Sequence, residues 1–284
     1  MLDYLVRRAS ELVLGDGLIV DVGCGDGRLV VELDRRFPGR VRGFDLPAKR
    51  DAVRARVRGT ALEQRFHEVF AFAPASSRLP FRPKSASLVV TNQVVEHVVE
   101  LEPFLAGCRE LIAPRGAMLC VFPPLTHLVE AHTRVPLLHW VPPGRARQTY
   151  LRLTDRWAGV PCRRGSERIP EFWDRWLQNE TFYRTEGEFL RAARSHFDAI
   201  EDDAEAYLRS WPLGGVLSRL PGATRAVQTL HNCTFVMRAP RHAKSSKARP
   251  RAAAHSSARE AEYEARVSLA VRAQRVVRHE EVGG

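Results

Sequence analysis

The sequence has no uninterrupted apolar run approaching the roughly 20 residues needed to cross a bilayer. Its N-terminus, Met1-Leu2-Asp3-Tyr4, lacks the basic region and apolar core of a secretory leader. The expected location is therefore the cytoplasm. Five cysteines, Cys24, Cys108, Cys120, Cys162 and Cys233, are scattered, odd in number and without a C-x-x-C pair. That excludes a disulfide framework and a structural zinc cluster as organising features, and reduced thiols are expected. Acidic residues are in short supply: 33 Asp and Glu against 44 Lys and Arg leave a net charge of +11. Such a surplus can mark nucleic acid or an anionic membrane as partner. Here residues 241–284 hold ten Lys and Arg against five Glu, nearly half the excess, and the rest is spread over an arginine-rich body. That distribution favours solubility over a dedicated polyanion site, so no sequence-specific nucleic acid is expected.

What is present is a glycine loop. Leu18 to Val22 is a short apolar, β-branched run suited to a parallel strand covered on both faces. Leu29, Val30, Val31 and Leu33 suit a helix packing back on it, and Gly23, Gly25 and Gly27 lie between. Glycines allow backbone angles closed to other residues and let a ligand rest on bare main chain, while the helix start offers free N–H groups and a positive dipole end. A carboxylate or phosphate should sit there. The dinucleotide fingerprint is G-x-G-x-x-G, whereas the third glycine here comes one residue early and Arg28 takes its place. NAD fits poorly.

Asp21-Val22-Gly23-Cys24-Gly25-Asp26-Gly27 resembles motif I of the class I S-adenosylmethionine-dependent methyltransferases. The resemblance implies a doubly wound, Rossmann-like α/β sheet of seven strands, mostly parallel with an antiparallel last strand, and S-adenosyl-L-methionine as cofactor. It places Asp21, Gly23, Cys24, Gly25 and Gly27 at that cofactor, with Leu46, Asn92 and Gln93. Val41 to Asp45 reads as the second strand and ends in an acid 18 residues past Gly27. An acid there can accept from both ribose hydroxyls, and the resemblance gives that task to Asp45. Ala48 to Val57 reads as a helix, and Arg65 to Phe72 as the third strand. Leu79-Pro80-Phe81 is similar to the family segment before strand four, but Ala75, with Ser76 and Ser77, stands where members carry an adenine-binding aspartate.

Ser85 to Asn92 reads as the fourth strand, and Gln93-Val94-Val95-Glu96-His97-Val98 resembles the E-H-V turn of the family, with Asn92, Gln93 and Glu96 facing the pocket. Ala113-Pro114-Arg115-Gly116 is similar to its L-x-P-G-G turn, with Arg115 replacing the first glycine, and Ala117 to Phe122 follows as strand five. Residues 123–210 form the expected helical cap, with Glu171 to Asn179 and Thr185 to Ser195 as helices, the second opened by a Thr185/Glu188 capping box. His132-Thr133 through Pro136-Leu137-Leu138-His139-Trp140 resembles a bacterial subgroup of cell-envelope and glycolipid methyltransferases. Phe197 to Asp202 and His231 to Arg238 are read as strands six and seven. The methyltransferase domain is thus expected over 1–240, with 241–284 a basic tail, disordered or a solitary helix. Residues 2–14 read as an amphipathic helix at the cofactor edge.

These matches imply methyl transfer to a small-molecule or lipid-linked acceptor, at oxygen in preference to nitrogen or carbon, by a monomer or homodimer with peripheral membrane contact as an option. No metal is expected. The alternatives are a nucleic-acid-associated methyltransferase or a non-catalytic S-adenosylmethionine-binding module. An amino-adenine enzyme would carry its Pro-Pro element after strand four, but Pro123-Pro124 follows strand five, and Pro161-Cys162 lies too far into the cap for a cytosine enzyme's nucleophile. For a hydroxyl acceptor a base must be within hydrogen-bond reach, and a neutral imidazole suits that work. His132 is the first candidate, ahead of His139 and His97, with Glu130 or Glu171 as the orienting carboxylate.

Overall fold

A computed structural model of the chain describes residues 1–74, 78–158, 163–164 and 167–238. Ala75, Ser76 and Ser77, Cys162 and the basic tail lie outside these. Seven strands form the main sheet: β1 (Leu18–Val22), β2 (Val41–Asp45), β3 (Phe70–Phe72), β4 (Ala86–Asn92), β5 (Ile112–Phe122), β6 (Ala199–Asp202) and β7 (Cys233–Arg238). Their order is 3-2-1-4-5-7-6, with β7 antiparallel to both its neighbours and the pairs from β3 to β5 parallel. This is the expected doubly wound sheet. β1, β4 and β5 are apolar and buried almost throughout, as strands covered by helices on both faces must be.

Nine helices of six or more residues are described: α1 (Leu2–Leu12), α2 (Arg28–Arg36), α3 (Arg50–Val57), α4 (Leu101–Leu111), α5 (Arg145–Ala158), α6 (Ile169–Glu180), α7 (Glu186–Arg194), α8 (Ala204–Arg209) and α9 (Ala223–Leu230). The apolar stripe of α2, Leu29, Val30, Val31 and Leu33, is buried on one face of the sheet with Tyr4, Leu5 and Ala9 of α1. Leu105 and Cys108 of α4 join Phe189, Ala192 and Ala193 of α7 on the other. Tyr4 Oη donates to Asp203 Oδ2 at 2.6 Å, and Arg8 also binds Asp203. Because Asp203 directly follows β6, whose end lies beside the start of β7, α1 reaches the carboxyl edge of the sheet.

Two segments depart from the sequence reading. Only Phe70–Phe72 joins the sheet as β3; Phe66–Val69 is a helical turn, closed by the Val69 N–H on the Arg65 carbonyl at 3.0 Å. The alternation that suggests a strand is also an i, i+3 pairing of Phe66 and Val69, both buried. Within 123–210, the chain leaves the sheet over 123–184, but α7 packs into the sheet core and β6 pairs with β7. α7 does carry the expected capping box, Thr185 Oγ1 accepting from Glu188 N and Glu188 from Thr185 N. Arg115 has φ 72°, the left-handed geometry that a glycine supplies without strain. Among the described residues, no helix is long and apolar enough to cross a membrane.

The sheet is complete at Arg238, paired with Ala117 on one side and Ala199 on the other. Truncation after Arg241 is therefore expected to leave the melting temperature within about 2 °C and cofactor affinity unchanged, as loss of under roughly 0.5 kcal/mol would allow in a domain of this size. Thermal melts of the two chains check this; a drop of many degrees would mean that the tail packs on the domain.

Candidate active site

The strand order reverses between β1 and β4, and an open α/β sheet binds ligands outside the carboxyl ends at that point. Two turns flank the crevice: Gly23 to Gly27 after β1, and Gln93 to His97 after β4. They touch. A Cβ on Gly23 would lie 2.3 Å from Val94 Cγ2, and Gly23 has φ 83°, so no side chain can stand there. Gly25, at φ 59°, has nothing within 4 Å of its would-be Cβ; the space over this loop is open, as a ligand resting on main chain requires.

Asp45 closes the cradle from β2. Its Oδ2 accepts the Gly25 N–H at 2.6 Å and its Oδ1 the Leu46 N–H at 2.7 Å. Burial pushes its pKa up, against Lys49 and these two N–H groups. Asp21, at the end of β1 and 2% exposed, is pushed up to about 8, first by burial and then by Asp45 and Asp26. Like charges sharing a buried site disfavour each other's ionisation, which is how Asp45 acts on Asp21. Cys24 is buried at the same loop, and burial followed by Asp45 raises its thiol. Gln93 sits at φ 58°, its N–H on the Val121 carbonyl and its amide on Asn232 Oδ1 at 3.0 Å. This strained position is one that a non-glycine residue adopts only when its surroundings enforce it. Asn92 Oδ1 is buried without a hydrogen-bond partner among the described residues.

The raised pKa of Asp21 has a consequence for stability. The folded chain holds a proton on Asp21 that the unfolded chain releases above about pH 4, so this group's contribution to stability falls as pH rises from about 4 to about 8, by at most roughly 1.4 kcal/mol per unit. Asp21→Asn should flatten the decline of melting temperature over pH 5–8 relative to the parent; parallel profiles would show that Asp21 ionises normally.

Above the β4 turn the cap brings in Glu130 and His132. Glu130 is fully buried. Its Oε1 accepts from His132 Nδ1 at 2.8 Å and Tyr183 Oη at 2.6 Å, and its Oε2 from the Thr133 N–H and hydroxyl and the His132 N–H. Burial alone would raise this carboxyl, but His132, Tyr183 and Thr133 outweigh it and hold it well below the usual carboxylate range. Burial, and next the same carboxylate, push the Tyr183 hydroxyl up. His132 Nε2 then lies 3.1 Å from His97 Nε2. His97 Nδ1 donates to the carbonyl of Glu180 at 2.6 Å, at the C-terminus of α6. Burial, and next His132, press the His97 pKa down to about 4. Glu96 is 1% exposed and neither carboxylate oxygen has a hydrogen-bond partner among the described residues; burial pushes it up to about 8. Trp176 covers both rings, 4.4 Å from His132 and 5.7 Å from His97 between centroids. Lys49 acts electrostatically on both Asp45 and His97, which ties this cluster to the glycine loop.

Of the three histidines singled out from sequence, His132 and His97 meet and His139 does not join them. His139 Nε2 donates to the Leu125 carbonyl at 3.0 Å and its ring stacks on His127 at 3.9 Å, on the far side of Tyr183. It ties the Pro-rich segment together. Of the two carboxylates singled out with them, Glu130 bonds His132 and Glu171 pairs with Arg152 at 2.6 Å. Sequence reasoning missed Tyr183, Trp176 and the Glu180 carbonyl, which no motif marks. Arg184, also missed, clamps the cap to the turn through the carbonyls of Val95, Val98 and Val99.

Residues 20–120 match a family model described as a methyltransferase domain. The ubiquinone biosynthesis O-methyltransferase of Cereibacter sphaeroides is 33% identical over 105 residues, which are 36% of this chain and 39% of that protein. The protein of the same name from a Caulobacter species is 31% identical over 132 residues, 44% of this chain and 50% of that one. The chain thus spans half or less of the curated relatives it matches. A crystal structure of an S-adenosylmethionine-dependent methyltransferase from Mesorhizobium loti is similar in fold, with a TM-score of 0.50 and 18% identity, covering 84% of this chain and 98% of that one.

Proposed function

We propose that this chain, a member of the class I methyltransferase family through residues 20–120, transfers a methyl group from S-adenosyl-L-methionine to a hydroxyl of a small-molecule or lipid-linked acceptor. The residues present fit the cofactor. Open space over Gly25, left-handed backbone at Gly23, Gly25 and Gly27, and the buried Asp21 and Asp45 suit a ligand with an amino-acid end and a ribose. Asp45 would hold the ribose, Gly23 and Gly25 the amino-acid end, and Leu46, Asn92 and Gln93 the remaining rim. When bound, the cofactor supplies an activated methyl on a sulfonium.

The protein's share is orientation and the proton. The observation that carries the reading is the hydrogen bond from His132 Nδ1 to Glu130, which leaves Nε2 as the acceptor nitrogen, turned towards His97 and the β4 turn. Glu130 stabilises positive charge on the imidazole and fixes its tautomer. An acceptor hydroxyl brought to Nε2 can pass its proton there. The O-methyltransferase names of the relatives support oxygen as the acceptor atom, and Trp176 and Tyr183 beside the histidines support an aromatic or apolar body for it.

Calorimetry with S-adenosylmethionine, S-adenosylhomocysteine and NAD, followed by metabolite profiling with labelled methyl donor in cells with and without the protein, tests this reading. Binding of the first two and not of NAD is expected, with a labelled product that depends on the protein. No binding of either adenosyl ligand would overturn it, and binding without any labelled product would indicate a non-catalytic module.

A further inference from the structure

We propose that Asn232 is a positioning residue for the cofactor crevice: it fixes the orientation of the Gln93 amide and is itself fixed by an unprotonated ring nitrogen of His231. The inference rests on the reading of that crevice as an S-adenosylmethionine site. Gln93 directly follows β4 and Asn232 directly precedes β7, with β5 between them. Neighbouring strands stand about 4.8 Å apart, so two amide side chains together bridge the carboxyl end of β5. Gln93 Nε2 donates to Asn232 Oδ1 at 3.0 Å. Asn232 is 6% exposed, and its Nδ2 donates to His231 Nδ1 at 2.8 Å and to Tyr207 Oη at 3.2 Å. Both hydrogens and the oxygen of this amide thus have partners, as a buried amide needs.

His231 sets the direction of the chain. An amide NH2 only donates, so His231 Nδ1 holds a lone pair and the proton of the neutral ring is on Nε2. Turned over, Asn232 would set its oxygen against that lone pair and its NH2 against the NH2 of Gln93. In the observed sense Gln93 gives its Nε2 to Asn232 and keeps Oε1 as an acceptor, which no other described residue engages. That oxygen suits a donor on the cofactor, an ammonium or amino N–H. The same bond steadies a residue at φ 58°, a conformation that persists only where the surroundings enforce it. Protonation of His231 at Nδ1 reverses the arrangement: donor meets donor, the Asn232 amide turns over, and Gln93 turns with it to present NH2. The groups facing His231 are Asn232, Tyr207, the Trp211 ring at 5.0 Å and, electrostatically, the Met1 amino group. Partial burial first, and the Met1 amino group second, lower its pKa from the ordinary value. The neutral form, and with it the acceptor at Gln93, therefore prevails at neutral pH and is lost in acid.

Two measurements on the full chain test this, one with ligand and one without. By calorimetry with S-adenosylhomocysteine, Asn232→Ala should weaken binding about three- to tenfold, the equivalent of one net hydrogen bond. Asn232→Asp keeps an oxygen that accepts from Gln93 and pairs its charge with a protonated His231, so affinity should return to within about twofold of the parent. A residue that serves packing alone would show equal losses in the two variants, or a larger one in Asp, which buries a charge. In the ligand-free protein, nitrogen NMR should show His231 Nδ1 unprotonated at neutral pH. As pH falls from about 8 to about 5, the side-chain NH2 signals of Asn232 and Gln93 should move with the midpoint of His231. In Asn232→Ala the Gln93 signal should no longer follow. A Gln93 signal indifferent to His231 in the parent, Asn232→Ala binding as the parent does, or Asn232→Asp binding as poorly as Ala would each overturn the proposal. Linked titration in a parent that binds no adenosyl ligand would support the amide relay and overturn the cofactor reading instead, which keeps the two failures apart.

Discussion

His132→Gln is expected to lower turnover of a hydroxyl acceptor by at least tenfold while S-adenosylmethionine binds within about twofold of the parent. Removal of a general base typically costs on the order of 10²–10⁴-fold. Glutamine is the informative replacement because its amide can still donate to Glu130 Oε1, as His132 Nδ1 does at 2.8 Å, so the buried carboxylate keeps its partner. That matters: Glu130 is fully buried, and an unpaired buried carboxylate would cost several kcal/mol. The variant nevertheless lacks a second ring nitrogen to receive a proton. Cofactor affinity should hold because, among the described residues, no hydrogen bond of the glycine loop involves His132. Single-turnover and binding measurements on the same protein check both parts. Full turnover would transfer the role to His97 or indicate an acceptor that needs no base; loss of cofactor binding would show that the cap holds the crevice in shape.

This contrast between loop and cap also marks what sequence could reveal. The glycine loop, Asp45 and the strands around them are local: spacing of Gly23, Gly25 and Gly27, a short apolar run before them and an acid at a strand end specify backbone angles and a ligand edge without reference to the rest of the chain. Glu130 and His132 were also readable, since a carboxylate two residues before an imidazole can reach it around one turn. What faces them was not. Tyr183 and the Glu180 carbonyl come from the end of α6 and the segment after it, about 50 residues away, and their arrival depends on how α5 and α6 pack through Val135, Leu138, Leu151 and Leu177. His139, part of the same motif as His132, was indistinguishable from it by pattern. Only the Leu125 carbonyl on its Nε2 separates a tie within the loop from a group at the site. Phe66–Val69 shows the complementary failure: four residues with two apolar positions satisfy a helical turn and a strand equally, and burial decided for the turn.

Asp45→Ala should weaken S-adenosylmethionine binding by about 1.5–3 kcal/mol, roughly ten- to more than a hundredfold in Kd, because it deletes a charged acceptor serving hydroxyl donors. The structure adds a second reason. Asp45 Oδ2 accepts from the Gly25 N–H at 2.6 Å and Oδ1 from the Leu46 N–H at 2.7 Å, so the same carboxylate that would hold the ribose also sets the glycine turn against β2. Alanine removes both tasks at once. Asn separates them: its side-chain oxygen can still accept from Leu46, but its NH2 group would face the Gly25 N–H, donor against donor. If Asp45 acts on the ribose alone, Asn and Ala should bind adenosyl ligands with similar losses and melt like the parent. If it also sets the loop, Asn should lose as much affinity as Ala or more, and both variants should melt lower in the absence of ligand, since each strands at least one part-buried backbone donor. The hydrogen-bond geometry favours the second outcome. Calorimetry and ligand-free thermal melts on the two variants decide between them, and unchanged affinity in Asp45→Ala would remove Asp45 from the site altogether.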